Sequence, residues 1–166
     1  MARVADIDAA KLTAEQKRVY DMIVAGPRGR VAGPLNVWMI SPPLAERAQE
    51  LGAFCRFHSS LPPRLSELAI LTTGAFWRSG YEWYAHSKIG IERGLDPKKL
   101  EVMRTGGAPT FDKEDEATVY AFASELLHTR RVSKASYDKA VALFGERGAV
   151  DLVGILGYYS LICLTI

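Results

Sequence analysis

The chain has 166 residues, of which 48% are hydrophobic and 24% charged, with a formal net charge of +2 at pH 7. This length predicts a single domain, 1–166, with enough apolar residues to bury a core. Neither charge sign dominates and no basic cluster is interleaved with aromatic residues, so nucleic-acid binding receives no support. Cys55 and Cys163 fit no metal-ligand spacing, and we expect buried free thiols in a reducing cytoplasm.

The N-terminal stretch MARVADIDAAKL lacks the apolar run of a signal peptide, which predicts a cytoplasmic protein. Thr13 and Gln16 have the spacing of a capping box and open the first predicted helix. That helix is predicted to end at Gly26 and Pro27, because neither residue continues a helix well.

The glycine-rich stretch RGRVAGPLNVWMI is predicted to be an ordered loop or arm. Ser41 followed by Pro42 is typical of an N-cap and a first helical residue, so a second helix is predicted from here to about Ser59. The run Leu61-Pro62-Pro63 breaks that helix and starts the next one.

The stretch Arg64–Arg93 reads as two helices joined near Trp77–Gly80. Glu82 and His86 are four residues apart, so on a helix they project from one face. A carboxylate beside an imidazole can hold one tautomer and raise its basicity, which suits proton transfer near neutral pH. Glu67 lies among apolar residues of the first helix, and we expect partial desolvation to raise its proton affinity.

A structural alternative exists for the same residues. Glu82 and His86 can form an ordinary surface pair, and Glu67 can extend to solvent beside Arg64. Periodicity alone favours this second interpretation.

The rest of the chain is also predicted to be helical. Gly94 marks a helix end, Asp96 with Pro97 starts a short helix, Asp112 can cap a further one, and Ser133 begins another. No alternating apolar and polar run is long enough for a strand, so the predicted fold class is all-α.

The final segment, AVDLVGILGYYSLICLTI, is apolar almost all round for 18 residues, which is marginal for a membrane span. Asp151, two glycines, a Tyr-Tyr-Ser run and the lack of flanking basic residues argue against a span. We expect a helix buried between neighbouring helices or between subunits, and no membrane partner.

Two arginines and a tyrosine are candidates for substrate binding. Arg56 and Arg64 flank the proline break near Glu67, and a guanidinium can grip a carboxylate through two parallel hydrogen bonds. Either could therefore hold an acidic substrate, and a solvated arginine is an equally good interpretation of each. The role of Tyr81 stays open.

The segment Leu61–Leu95 resembles the core of the carboxymuconolactone decarboxylase family, which is related to the alkylhydroperoxidase D proteins. The motifs are the PPR-x-x-E-L-A-I-L start and the Y-E-W-x-x-H run that ends at His86. Upstream, Gly33–Phe57 is similar to the family's N-terminal helices. The resemblance implies an alkylhydroperoxidase D-like helical bundle with a central antiparallel helix pair, assembled as a homo-oligomeric ring such as a trimer or hexamer.

The peroxidase branch carries a CxxC redox pair between its glutamate and its histidine. In this chain Ser79 and Glu82 stand at those two positions. Without the thiols no disulfide can form, so an alkylhydroperoxidase-like antioxidant activity is disfavoured and the decarboxylase branch is indicated. Family members usually continue into a short tail, so a tail that closes the site would be missing after Ile166.

The resemblance implies cofactor-independent decarboxylation of a small acidic substrate, such as 4-carboxymuconolactone, in aromatic acid catabolism. The electron pair left by CO2 would be delocalised as a dienolate, which must be stabilised and then protonated. We expect His86 to donate the proton, Glu82 to orient it, and a protonated Glu67 to bond the enolate oxygen or relay the proton. Arg56 or Arg64 would hold the second carboxylate, and the acid–imidazole group would line a shielded cavity.

Two other functions fit the same residues. A metal site built from Glu67, Glu82 and His86 is chemically reasonable but offers only three ligands, so no metal and no cofactor are expected. A lyase or isomerase of another small acid, or a binding protein on the same scaffold, is the stronger rival, because three residues define acid–base chemistry and not a substrate.

Overall fold

The computed structural model describes residues 4–166, and every regular element in that range is helical, which confirms the all-α prediction. Residues 1–3, part of the stretch used to predict localisation, lie outside the described residues. A 3-10 turn (Ala9–Lys11) and a π-helical segment (Phe54–His58) accompany the α-helices. In chain order these are α1 (Ala14–Ala25), α2 (Pro34–Trp38), α3 (Pro42–Ala53), α4 (Pro63–Phe76), α5 (Gly80–Glu92), α6 (Pro97–Arg104), α7 (Glu114–Thr129) and α8 (Lys134–Thr165).

Helix α1 begins as predicted. The Thr13 hydroxyl accepts a hydrogen bond from the Gln16 amide at 3.2 Å, and the Gln16 side chain accepts one from the Thr13 amide at 2.9 Å. The loop prediction for the following stretch is wrong over residues 34–38, which form α2. Pro34 occupies the first turn of α2, and Gly33 precedes it with a φ of 57°, a value that favours glycine.

The predicted pair of central helices is present as the hairpin of α4 and α5. Pro63 is the first residue of α4, and a turn of three residues separates Phe76 from Gly80. The Ser79 hydroxyl caps α5 by accepting from the Glu82 amide at 3.4 Å. Helix α4 contacts α5, α7 and α8, so it lies at the centre of the structure.

Most predicted starts of the later helices are correct. Asp96 caps α6 and Ser133 caps α8 through their side chains. The predicted cap at Asp112 is wrong, because Lys113 precedes α7 and the Asp112 carboxylate pairs with Lys99 at 2.5 Å. Asp112 therefore pairs with Lys99 of α6 instead of capping α7.

Helix α8 is interrupted at Gly145, where a φ of 71° breaks the helical geometry. By length and composition alone it is apolar enough to cross a membrane, and half of its most apolar window is buried against the other helices. Asp151 of α8 is buried and accepts hydrogen bonds from the amide and hydroxyl of Ser60, both at 2.7 Å. The helix therefore packs into the bundle, while Val150 and Leu164 stay 68% and 67% exposed on its outer side.

The hydrogen bonds between Ser60 and Asp151 are expected to contribute measurably to the free energy of unfolding. Asp151→Ala should lower the free energy of unfolding by about 1–3 kcal/mol, because the Ser60 amide loses its partner. Asp138→Ala is the matched control on the same helix, since Asp138 forms only an exposed pair with Lys134 and should cost less than about 0.5 kcal/mol. Urea denaturation of both variants measures the difference, and equal losses would contradict the assignment.

Candidate functional site

Two glycines let α4 and α5 approach closely enough to bring acidic and imidazole side chains together. A Cβ on Gly74 would lie 3.2 Å from the Cβ of Glu82, and one on Gly90 would lie 3.1 Å from Leu71 and 3.8 Å from the Cβ of Glu67. A side chain larger than hydrogen at Gly74 or Gly90 would press the two helices apart. The small residues thus position the functional side chains.

The side chains of Glu67, His86 and Glu82 meet between these two helices. Nδ1 of His86 lies 2.7 Å from Oε2 of Glu67, and Nε2 of His86 lies 3.5 Å from Oε2 of Glu82. The three residues are 5%, 5% and 2% exposed. The structure therefore contradicts the alternative in which Glu82 and His86 form a surface pair. We call these three residues the acid–imidazole cluster.

The contacts of His86 within this cluster differ from those predicted from the sequence. Glu82 was expected to orient His86, but the short hydrogen bond of the imidazole is with Glu67 on the facing helix. This 2.7 Å contact holds the ring in one orientation, and a carboxylate at Glu67 would accept the proton of Nδ1. Nε2 then faces Glu82.

Burial favours the protonated form of Glu82. Burial raises the pKa of its carboxyl group above the ordinary value of 4.5, and the charges of His86, Arg56 and Arg28 oppose that shift only in part. Oε2 of Glu82 is buried without a hydrogen-bond partner among residues 4–166. The 3.5 Å separation from Nε2 is a contact rather than a good hydrogen bond, so this buried oxygen lacks a good partner.

Two tyrosines of α8 complete the surroundings, and the sequence analysis did not single them out. The ring of Tyr159 meets the imidazole of His86 edge-on, with 5.3 Å between centroids. Burial raises the pKa of Tyr159 well above 10, so its phenol stays protonated. Burial also raises the pKa of Tyr158 to about 12, and the Arg28 guanidinium donates to its hydroxyl at 3.4 Å. In the sequence, these two tyrosines are distinguished by their hydroxyl groups within an otherwise apolar segment.

Arg56 is the predicted arginine that lies near the cluster. Its charge opposes, in part, the rise that burial causes in the pKa of Glu82, Tyr159 and Tyr81. Its guanidinium lies over the Phe57 ring, 5.1 Å from the centroid. No carboxylate lies within 4.0 Å of it among residues 4–166. The π-helical segment that carries Arg56 was not predicted, and such segments are frequent at functional sites.

Arg28 is a second cation of this region that the sequence analysis missed. Its Nε is buried without a hydrogen-bond partner in the described part of the chain, and its charge lowers the pKa of Glu82. A Cβ on Gly52 would meet its guanidinium at 2.3 Å, so the glycine makes room for the arginine. An isolated arginine in a glycine-rich loop gives no local signal of such a position.

Arg64 does not join the cluster. Its guanidinium binds Asp115 at 2.5 Å and also pairs with Glu116, both on α7. These two carboxylates pair with the Arg64 guanidinium, so its charge is compensated in this structure and its contact with a substrate stays a prediction. Its role is to join the start of α4 to the start of α7.

Tyr81 lies at the rim of the region, 40% exposed. Its hydroxyl packs on the backbone of Gly33, where an added Cβ would lie 2.2 Å away. Burial of the phenol and the nearby charge of Glu82 raise the pKa of Tyr81. Tyr81 therefore packs against the residue that precedes α2.

Two half-open cavities of the described residues lie away from the cluster. These have volumes of about 290 and 300 Å³, and neither is lined by Glu67, Glu82 or His86. The three side chains are buried, and the expected cavity beside them stays a prediction.

The two cysteines and the residue types that bind metals form no ligand group among residues 4–166. Cys55 is buried and Cys163 is partly buried, and burial raises the pKa of each thiol to about 11, which disfavours the reactive thiolate. Within residues 4–166 no group of three or more His, Cys, Asp and Glu side chains is arranged to hold a metal ion. Acid–base chemistry is what the arrangement supports.

Compared with known proteins, the chain matches no protein-family model and no curated protein.

The raised pKa of Glu82 predicts a pH dependence of stability. The stability that its neutral carboxyl contributes is fully present below about pH 4.5 and is lost as the pH rises through the raised folded-state value. Glu82→Gln cannot ionise, so its free energy of unfolding relative to the parent protein should increase from pH 4 to pH 7. Urea denaturation across this range measures it.

Glu92→Gln is the matched control, because its side chain is 61% exposed on the same helix. Its difference from the parent protein should change little with pH. If the stability of Glu82→Gln relative to the parent protein does not increase as the pH rises, the raised pKa of Glu82 is contradicted.

Proposed function

We propose that this protein is a cofactor-independent carboxy-lyase that removes CO2 from a small carboxylated lactone, such as 4-carboxymuconolactone, by acid–base catalysis. The observation that carries the proposal is the buried row of Glu67, His86 and Glu82, in which Glu67 fixes the imidazole and Glu82 keeps an unbonded oxygen. The motif resemblance of Leu61–Leu95 supports the choice of substrate.

The reaction needs a proton donor in a dry site. The bond between the substrate carbon and its carboxylate breaks, CO2 leaves, and the electron pair is delocalised into the lactone carbonyl as a dienolate. The neutral carboxyl of Glu82 then gives its proton to the carbon, which leaves a carboxylate facing Nε2 of His86 at 3.5 Å. A proton from water restores Glu82 for the next turnover.

His86 acts in this scheme as the partner that stabilises the ionised Glu82. The bond from Nδ1 to Glu67 lets the imidazole accept a proton on Nε2 and become a cation between two carboxylates. The earlier expectation that His86 itself protonates the substrate is thereby revised. Proton delivery belongs to Glu82 and His86 as a pair.

Charge complementarity supports an acidic substrate. The charges of Arg56 and Arg28 both oppose the rise in the pKa of Glu82. Neither guanidinium is within 4.0 Å of a carboxylate among residues 4–166. A substrate carboxylate would supply the missing counter-charge. Because the cluster is buried, binding requires side chains at the rim to move, and Tyr81 is the partly exposed one next to Glu82.

The proposal includes assembly of this cytoplasmic protein as a homo-oligomer. On α8 the apolar side chains Val150, Val153, Leu161 and Leu164 are 37–68% exposed. Gly154 and Gly157 lie on the same helix with open space above them, which permits close approach of another helix. A contact between subunits would remove this apolar surface from water.

The rival function is an isomerase or another lyase acting on a small acid. It is favoured by one observation, namely that Glu82 and His86 face each other and can take up and return a proton at the same place. Release of CO2 distinguishes the two functions, because proton transfer alone conserves the carbon skeleton.

We expect the purified protein to release CO2 from 4-carboxymuconolactone and to lose at least about 100-fold in kcat in the variants His86→Gln and Glu82→Gln. Loss of the conjugated absorbance measures the rate. Tyr84→Phe is the control, because Tyr84 is 85% exposed on the same helix and should leave the rate unchanged. An unchanged rate in His86→Gln would remove the assignment.

The arginine assignment predicts a separate effect on binding. Arg56→Met should raise KM by about 10- to 100-fold, because a charge-assisted hydrogen bond is worth about 1.5–3 kcal/mol. Arg93→Met is the matched control, since Arg93 is exposed at the end of α5. Equal KM values for the two variants would show that Arg56 does not hold the substrate.

A further inference from the structure

A separate region of the molecule has the features of a second ligand site. The cavities of about 290 and 300 Å³ adjoin each other, because Ala75, Arg78 and Gly106 line both. The first lies between the end of α4, the loop after α6 and the C-terminal half of α7. None of the acid–imidazole cluster residues lines either one.

The first cavity combines unoccupied polar groups with an apolar wall. The side chains of Arg78, Tyr120, Ser124 and His128 line it, and none of them makes a hydrogen bond or an ion pair with another side chain or backbone group of residues 4–166. The apolar part of the wall is formed by Ala75, Phe76, Met103 and Leu127. A ligand in this cavity would contact both polar and apolar side chains.

The charge of the lining selects an anion. Neither cavity is lined by an aspartate or a glutamate. Arg104, which lines the second cavity, is held by Glu101 through bonds of 2.5 and 2.8 Å, so its charge is compensated. Arg78, an exposed residue that lines both cavities, has no such partner among residues 4–166 and supplies the positive charge.

The backbone of Arg78 is held in an unfavourable conformation. Its φ is 54°, in the left-handed region that side chains other than glycine seldom adopt. Such conformations persist where the surroundings impose them and are concentrated at binding and catalytic sites. Here the turn between α4 and α5 imposes it and sets the arginine where it lines both cavities.

We propose that this cavity binds a small monocarboxylate with a flat apolar body. Arg78 binds the carboxylate with a bidentate pair of hydrogen bonds, and His128 and Ser124 add donors at the same wall. The rings of Phe76 and Tyr120 and the side chain of Leu127 cover the apolar body. A volume near 290 Å³ limits the ligand to the size of a single ring with its substituents.

Benzoate is the probe for this site, and isothermal titration calorimetry of the full chain measures its binding. Benzamide has the same shape without the charge and should bind at least 10-fold more weakly. Inorganic phosphate has charge without an apolar body and should also bind at least 10-fold more weakly. Equal binding of benzamide or of phosphate would overturn the proposal, as would absence of benzoate binding.

Arg78→Gly is the decisive variant, and Arg130→Gly is its matched control. Arg130 is the other non-glycine residue with a positive φ among residues 4–166, at 63°, and it lies at the end of α7 without lining either cavity. Glycine adopts both conformations without strain, so both variants should fold. Arg78→Gly should weaken benzoate binding at least 10-fold, and Arg130→Gly should leave it unchanged.

A third variant separates this site from the acid–imidazole cluster. His86→Gln should bind benzoate as the parent protein does, whether or not the proposed decarboxylation is correct. Loss of benzoate binding in His86→Gln, or unchanged binding in Arg78→Gly, would place the carboxylate elsewhere and overturn the proposal.

Discussion

The hydrogen bond between Glu67 and His86 is the interaction on which the rest of the site depends. Burying a carboxyl group costs free energy unless a hydrogen-bond partner compensates for the lost water, and the imidazole of His86 is that partner for Glu67. The bond also fixes which nitrogen of His86 faces Glu82. A second buried carboxylate is then tolerated next to the first because burial favours its neutral form.

Other parts of the fold shield the acid–imidazole cluster from water and place positively charged side chains around it. Tyr159 covers the imidazole from α8, and Tyr81 packs against Gly33. Arg56 and Arg28 approach from the N-terminal half of the chain, so the charge of an acidic ligand would be compensated without a metal ion or cofactor. Because Glu82 is 2% exposed, a ligand could reach it only after neighbouring side chains move.

Sequence reasoning was most successful where local chemistry decides the structure. Prolines, glycines and capping residues gave the ends of most helices, and the four-residue spacing placed Glu82 and His86 on one face. It also placed Glu67 on the helix opposite. These features depend on neighbours within one turn of helix, or on a helix pair joined by a short turn.

The contacts that the sequence did not predict join residues far apart in the chain. Arg64 is 51 and 52 residues from the two carboxylates that bind it, and no local pattern announces that pairing. Which carboxylate holds Nδ1 of His86 depends on how two helices face each other, and the sequence spacing suggested the wrong one. The π-helical turn under Arg56 and the position of Arg28 beside Tyr158 likewise arise only after packing.

The most direct test of this account is a nitrogen NMR spectrum of the imidazole groups in the protein, which has three histidines. Near neutral pH we predict that His86 carries a slowly exchanging proton on Nδ1, and that Glu67→Gln abolishes this slow exchange while the signals of His58 and His128 stay unchanged. A His86 ring protonated only on Nε2, or one whose Nδ1 proton exchanges as fast as in an exposed histidine, would contradict the account.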